Sequence, residues 1–157
     1  MRITPPNLNI FMMFKLPSAF FTGVRLRKIT DEIAVVKVTH RWVNQNPFKS
    51  LYYGVQAMAA ELATGALVMK KIQECGKPVS MLVTKQSATF TKKGRGRMAF
   101  VCEDGALIDE KLKATLNTGE GQVIVLKTIA KDAQGDIVSV FDFEWSIKLK
   151  KSRNKKY

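Results

Sequence analysis

Histidine occurs once, at His40, and cysteine twice, at Cys75 and Cys102, with no CxxC spacing and no Cys/His cluster. Neither a disulfide framework nor a zinc site is indicated by so few residues so far apart, and a reducing, cytoplasmic compartment is expected. No Gly-x-Ser-x-Gly elbow occurs, so a serine-hydrolase reading has no motif to rest on. Uninterrupted hydrophobic runs are missing too. Lys15 and Pro17 break the apolar stretch that begins at Ile10. The segment Leu51 to Met69 contains Gln56, Glu61 and Thr64, which would set a carboxylate deep in a bilayer. A buried helix is expected there, with no membrane span, and the N-terminal stretch reads as a docking helix and not a leader. Acids are scarce: 13 against 26 bases, a formal net charge of +13, which favours polyanions without naming one. The bases are not interleaved with aromatics in an RNA-binding pattern, so no specific nucleic-acid partner is expected.

What is present is enough for one domain over residues 1–157, since 157 residues at 46% hydrophobic content can bury a core and no repeat or Pro/Gly/Ser-rich linker divides them. Residues 1–22 form an N-terminal helical segment, with a helix expected at 7–20, and residues 148–157 a basic end. Val24 to Thr30 and Ile33 to Trp42 read as a hairpin turning at Asp31-Glu32. In its second strand Ala34, Val36, Val38, His40 and Trp42 share one face, which makes His40 a core histidine. From Leu51 to Glu74 the spacing turns helical, with Val55, Met58, Leu62, Met69 and Ile72 on one stripe. The other faces carry Ala57, Ala60, Ala63, Leu67 and Val68, so this helix should be buried all round.

Gly76 and Pro78 end that helix. Val79 to Lys92 and Arg97 to Glu103 then read as strands joined in a hairpin by Lys93-Gly94-Arg95-Gly96. A short amphipathic helix aligns Ile108, Leu112 and Leu116 before Gly119. The last strands, Val123 to Lys131 and Ile137 to Lys150, flank a polar turn. In the second, Phe141, Phe143, Trp145, Ile147 and Leu149 alternate with Asp142, Glu144, Ser146 and Lys148, giving one core face and one wet face. The fold class is α+β: an antiparallel sheet around one long central helix.

Glu61 is the only Asp, Glu, Lys, Arg or His between Lys49 and Lys70. A carboxylate among alanine, leucine and methionine is costly unless it is paired or used. The helix that carries it begins after Asn46-Pro47-Phe48-Lys49-Ser50, where unpaired N–H groups can receive developing negative charge. A structural carboxylate, satisfied by Asn46, a tyrosine hydroxyl or a lysine of a partner chain, stays open as the alternative. Cys75 and Cys102 read as inert packing residues.

The stretch NPFKSLYYGVQAMAAELATGA, Asn46 to Ala66, resembles the signature of hot-dog thioesterases of the phenylacetyl-CoA thioesterase-like class, and more closely an uncharacterised thioesterase-like branch of that superfamily. The signature runs from an asparagine through His-Gly-Gly to a carboxylate eight residues after the first glycine. Asn46 takes the asparagine position, Glu61 the carboxylate position and Gly54 the second glycine, while Tyr52 and Tyr53 replace His and the first glycine. The resemblance implies a hot-dog fold and hydrolysis of an acyl-CoA or acyl-carrier-protein thioester. In that chemistry Glu61 is general base or nucleophile, the Tyr53 and Gly54 N–H groups form the oxyanion hole, and Asn46 positions water or carbonyl. It implies a homodimer at least, and a tetramer where dimers pair. No metal or separate cofactor is required, coenzyme A entering as part of the substrate. Lys92, Lys93, Arg95 and Arg97 would then meet its phosphates. A hot-dog module that binds an acyl chain or acyl-CoA without turnover remains open, because Tyr52 and Tyr53 crowd the turn, and nucleic-acid binding through the net charge of +13 stands behind both.

Overall fold

The computed structural model describes residues 1–150. Helices α1 (Pro5–Lys15) and α2 (Pro17–Phe21) lead into strands β1 (Arg25–Ile29) and β2 (Ala34–Thr39), then a 3-10 turn Trp42–Asn44 and the long helix α3 (Tyr53–Cys75). Strands β3 (Val79–Phe90) and β4 (Arg97–Cys102), helix α4 (Gly105–Thr118) and strands β5 (Gln122–Lys131) and β6 (Ile137–Leu149) complete the chain. The six strands form one antiparallel sheet in the order β1-β2-β4-β5-β6-β3, and α3 packs on its inner face. This is the expected α+β, hot-dog arrangement. The basic end falls partly outside the described residues, which stop before Lys151 and Arg153.

The inner face follows from strand periodicity. Val36 and Val38, Met98 and Phe100, Ile124 and Leu126, and Phe141 to Ile147 in alternation are all buried. Small residues let α3 come close: Ala59, Ala60, Ala63 and Ala66 are buried, and a methyl on Gly65 would lie 3.3 Å from the Trp145 ring. Thr128 Oγ1, inside the core, donates to the Ala60 carbonyl at 3.0 Å and so pins β5 to the helix without leaving a buried hydroxyl unpaired. Gly76, at φ 64°, closes α3 in the left-handed conformation its lack of a side chain permits. Lys71, also buried, reaches Asp109 at 2.6 Å and ties α3 to α4.

Four expectations are corrected. The N-terminal helix is two helices, because Pro17 lacks the N–H a continuous helix needs and drives Leu16 out of the helical region, to φ −136° and ψ 57°. Strand β2 ends at Thr39, so His40 lies past it and Trp42, expected on the core face, stands in the 3-10 turn at 85% exposure. The β3–β4 hairpin does not form. Strand β3 pairs with β6, whose 13 residues match its length, while β4 lies between β2 and β5. The connecting loop is drawn elsewhere, its Gly94 and Gly96 carbonyls accepting from the Leu51 and His40 N–H groups at 2.8 Å each. Finally, α3 is not enclosed all round. Tyr53 and Glu61 are exposed, and Met58 and Met69 only half-buried.

The two edges of the sheet are treated differently. Asn9 of α1 exchanges two hydrogen bonds with Leu26 of β1, its Nδ2 donating to the carbonyl and its Oδ1 accepting from the N–H, both at 3.0 Å. One edge is thereby capped by a side chain that mimics a strand. Strand β3, twelve residues long, has a partner on one side only among the described residues.

Candidate active site

The start of α3 is built from three loops. Tyr52 N–H donates to the Asn44 carbonyl at 2.9 Å and Leu51 N–H to the Gly94 carbonyl, which fixes the chain as it enters the helix. The N–H groups of Val55 and Gln56 both reach the Tyr52 carbonyl, at 3.0 and 3.1 Å. Tyr53 and Gly54, the first two helical residues, precede any intrahelical acceptor, so their N–H groups are the outward donors of the helix N-terminus. The Tyr52 ring folds back over Gly54, where a methyl would come within 2.8 Å of its Cε1. Tyr53 stands edge-on to Tyr52 at 5.0 Å and to Phe90 at 6.5 Å. Beneath them Gln56, buried, accepts from Ser139 Oγ at 2.8 Å and donates to the Leu51 carbonyl at 3.2 Å.

Seven residues after Gly54, and therefore on the same face of the helix, Glu61 opens onto a groove of about 280 Å³. Met12 and Leu16 of the α1–α2 elbow, Met58 and Met69 of α3, Met81 of β3 and Trp145 of β6 line it, and among the described residues Glu61 is its only charged lining residue. The apolar surroundings remove water from the carboxyl and push its pKa above the usual glutamate value. The expectation of a fully buried Glu61 is corrected: its side chain stands at the rim of the groove, exposed on the single chain. Its carboxylate has no hydrogen-bonded or ionic partner among the described residues; only its main-chain carbonyl is engaged, by Thr64 Oγ1 at 3.0 Å.

The other sequence-derived candidates are scattered. Asn46 is spent on its own loop, where Oδ1 accepts from the Phe48 N–H at 3.0 Å, the Ser50 N–H at 3.2 Å and the Ser50 hydroxyl at 3.1 Å. It does not line the groove. Lys92 is held by Asp132 at 2.7 Å and Asp136 at 2.9 Å in the β5–β6 turn. Lys93 and Arg95 instead flank the approach to α3: Lys93 Nζ lies 5.6 Å from the centre of the Phe48 ring, and Arg95 Nε donates to the Lys49 carbonyl at 3.2 Å. Arg97, at the start of β4, faces a surface hollow with Arg27 and Lys37. Cys102 is buried, and burial is the chief cause that pushes its thiol up to about 12. His40 Nε2 is buried without a partner among the described residues, and His40 does not line the groove. Among the described residues no group of three or more His, Cys, Asp or Glu could hold a metal, and no helix is long and apolar enough to cross a membrane.

The fold has solved counterparts. A Pseudomonas aeruginosa protein, PA5026, described as a probable thioesterase, superposes with a TM-score of 0.79 at 17% identity, over 94% of this chain and 97% of its own. A Chlorobaculum tepidum protein of unknown function gives 0.79 at 17% identity, over 95% and 99%. The Haemophilus influenzae thioesterase HI1161 gives 0.73 at 14% identity, over 96% and 95%. At these identities the likeness speaks for the fold, which is that of the hot-dog thioesterases. No curated protein sequence matches the chain. A family profile described as a domain of unknown function, DUF4442, matches residues 7–147, and the chain belongs to that family.

Proposed function

We propose that the chain hydrolyses an acyl thioester carried by coenzyme A or an acyl carrier protein. The observation that supports this reading is Glu61: among the described residues an unpartnered carboxylate and the one charge in an apolar groove, carried by a helix whose first N–H groups, those of Tyr53 and Gly54, are free. The groove takes the acyl chain. Ionised Glu61 removes a proton from water, the resulting hydroxide adds to the thioester carbonyl, and the two N–H groups hold the oxyanion. The C–S bond then breaks, the thiolate takes up a proton, and the carboxylic acid leaves. Each preorganised donor in such a hole is worth on the order of 10²–10³ in rate. Replacement of His-Gly by Tyr52 and Tyr53 leaves both main-chain donors in place. Lys93 and Arg95, beside the helix entry, suit the phosphates of coenzyme A better than Lys92, which is already paired.

Seven residues of helix rise about 10 Å, more than one thioester carbonyl spans. The site therefore takes its N–H donors from one chain and its carboxylate from a second copy, joined through the open edge of β3. Leu82, 65% exposed on the outer face of that strand, would flank the joint. A second reading is suggested by the Tyr52 ring over Gly54: a module that binds acyl-CoA and does not turn it over.

Thiol release from short, medium, long and aromatic acyl-CoA substrates, with Glu61→Gln in parallel, decides between them. Release that falls about 10²-fold or more in the variant supports hydrolysis. Saturable binding with no release moves the assignment to the binding module. Sedimentation of the Leu82→Lys protein as a monomer, against a native dimer, checks the edge.

A further inference from the structure

One surface is left over by this reading. Five of the exposed large apolar residues, Ile10, Met13, Phe14, Leu16 and Phe21, fall within the α1–α2 elbow, with Phe14 and Phe21 at 70% and 69% exposure. Trp42, at 85%, exceeds both. The 3-10 turn that carries it is anchored to the elbow by Asn44. That side chain is buried, donates to the Thr22 carbonyl just past α2 and to the Thr39 carbonyl at 2.9 Å each, and accepts from the Arg41 N–H at 2.8 Å. Phe21 and Trp42–Val43 thus lie on neighbouring segments that the buried Asn44 side chain ties together.

The segments that carry them hold bases and no acid, and Glu61, across the groove from Leu16, is the carboxylate that borders the surface. Residues 1–30 contain no acid, and residues 33–60 contain none either. Arg25 lies 3.7 Å from the centre of the Phe20 ring and donates to the Phe20 carbonyl, with Arg41 beside Trp42 and Lys15 on the elbow. Burial, then the like charges of Arg27 and Arg41, lower the Arg25 pKa, as in a patch without a compensating carboxylate.

Exposed tryptophan and phenylalanine ringed by arginine and lysine is the composition that partitions into the headgroup layer of a bilayer. We propose that the α1–α2 elbow and the Trp42 turn form a docking surface for an anionic phospholipid membrane. The aromatic side chains enter the interface and Lys15, Arg25 and Arg41 meet the lipid phosphates. A second copy fits the surface poorly, since a symmetric contact would set the same bases against one another. Leu16 is both exposed here and part of the wall of the Glu61 groove, so a docked bilayer borders the groove. That last point rests on the hydrolase reading; the docking does not.

The test uses phosphatidylcholine vesicles with and without phosphatidylserine, and the full chain. The sequence has two tryptophans, of which Trp145 is buried, so a lipid-induced change in emission reports on Trp42. Co-sedimentation with the anionic vesicles, together with a blue shift that Trp42→Phe abolishes, is expected. Phe21→Ser combined with Trp42→Ser should weaken partition about tenfold or more, given the apolar area withdrawn, while thermal unfolding stays cooperative. The proposal is overturned by absence of sedimentation. Sedimentation with unchanged emission also overturns it, because charge alone would then bind. A change in the oligomeric size of the lipid-free protein on making the double variant overturns it as well, because a protein contact would then occupy the face.

Discussion

Trp145 donates its indole N–H to Thr64 Oγ1 at 3.0 Å, and the Thr64 hydroxyl in turn donates a hydrogen bond to the Glu61 main-chain carbonyl at the same distance. This relay joins β6 to the turn of α3 that carries the candidate carboxylate, and both side chains are buried. Trp145→Phe removes one bond and part of a groove wall. It should cost about 1–3 kcal/mol, read as a lowered denaturant midpoint at unchanged slope. Thr64→Val should cost a similar amount for a different reason, because the indole N–H is then buried with no acceptor.

Glu61 has its pKa raised by desolvation, and the sign of its effect on stability follows. Between the ordinary glutamate pKa and the raised one, the folded chain holds more proton than the unfolded chain, so stability falls as pH rises through that window. Glu61→Gln should flatten the decline without unfolding the protein at neutral pH. If the carboxylate is the general base, the acid limb of the thiol-release profile will lie above the usual carboxylate range and disappear in the same variant. Paired thermal melts and rates across pH check both.

Two glycines make opposite predictions. At Gly105 a methyl would sit 2.1 Å from the Asp31 carbonyl oxygen, main chain against main chain. Gly105→Ala should therefore destabilise by about 2 kcal/mol or more, since the β1–β2 turn or α4 must move. At Gly54 the obstacle is the Tyr52 ring, which can rotate away. Gly54→Ala should leave stability within about 1 kcal/mol of the native protein and alter binding at the helix entry instead, measured by inhibition with coenzyme A.

Lys92 and Arg95 separate structure from ligand contact. The Asp132 carboxyl is held below its usual range chiefly by the Lys92 hydrogen bond, and Asp132 also accepts from the Gln134 and Asp136 N–H groups at 3.0 Å. That contribution is present above the unfolded carboxylate pKa and is lost as pH falls through the lowered one. Lys92→Ala should loosen the β5–β6 turn, seen as faster amide exchange there, with coenzyme A affinity unchanged. Arg95→Ala should weaken that affinity severalfold and leave the turn alone.

The sequence signals that worked were the ones a single element can carry. Alternation over Phe141 to Ile147 reports a sheet with one buried face wherever its partner lies, and Gly76 and Gly119 take the left-handed conformation that ends their helices. The isolation of Glu61 among apolar residues was legible for the same reason. That β3 and β4 do not pair was not, because a Lys-Gly-Arg-Gly turn advertises a hairpin locally while the longer β6 competes for β3 from 49 to 70 residues away. Nor was the exposure of Glu61 or of Trp42. Alternation alone could not tell that β2 stops at Thr39. The groove exists only because the α1–α2 elbow brings Met12 and Leu16 to α3, and the elbow itself was hidden inside what read as one helix. Asn46 shows the limit of motif alignment: the residue type is in place, but its oxygen is consumed by the turn at Ser50.

The Asn9 clasp on Leu26 also governs what kind of assembly the sheet permits. A β-sheet with two open edges can recruit copies at either end and polymerise without limit. Here one terminus is blocked by a side chain already bonded to both main-chain groups of an edge residue. Any strand that joins at β3 brings its own blocked terminus with it, so growth by main-chain pairing halts after a single step.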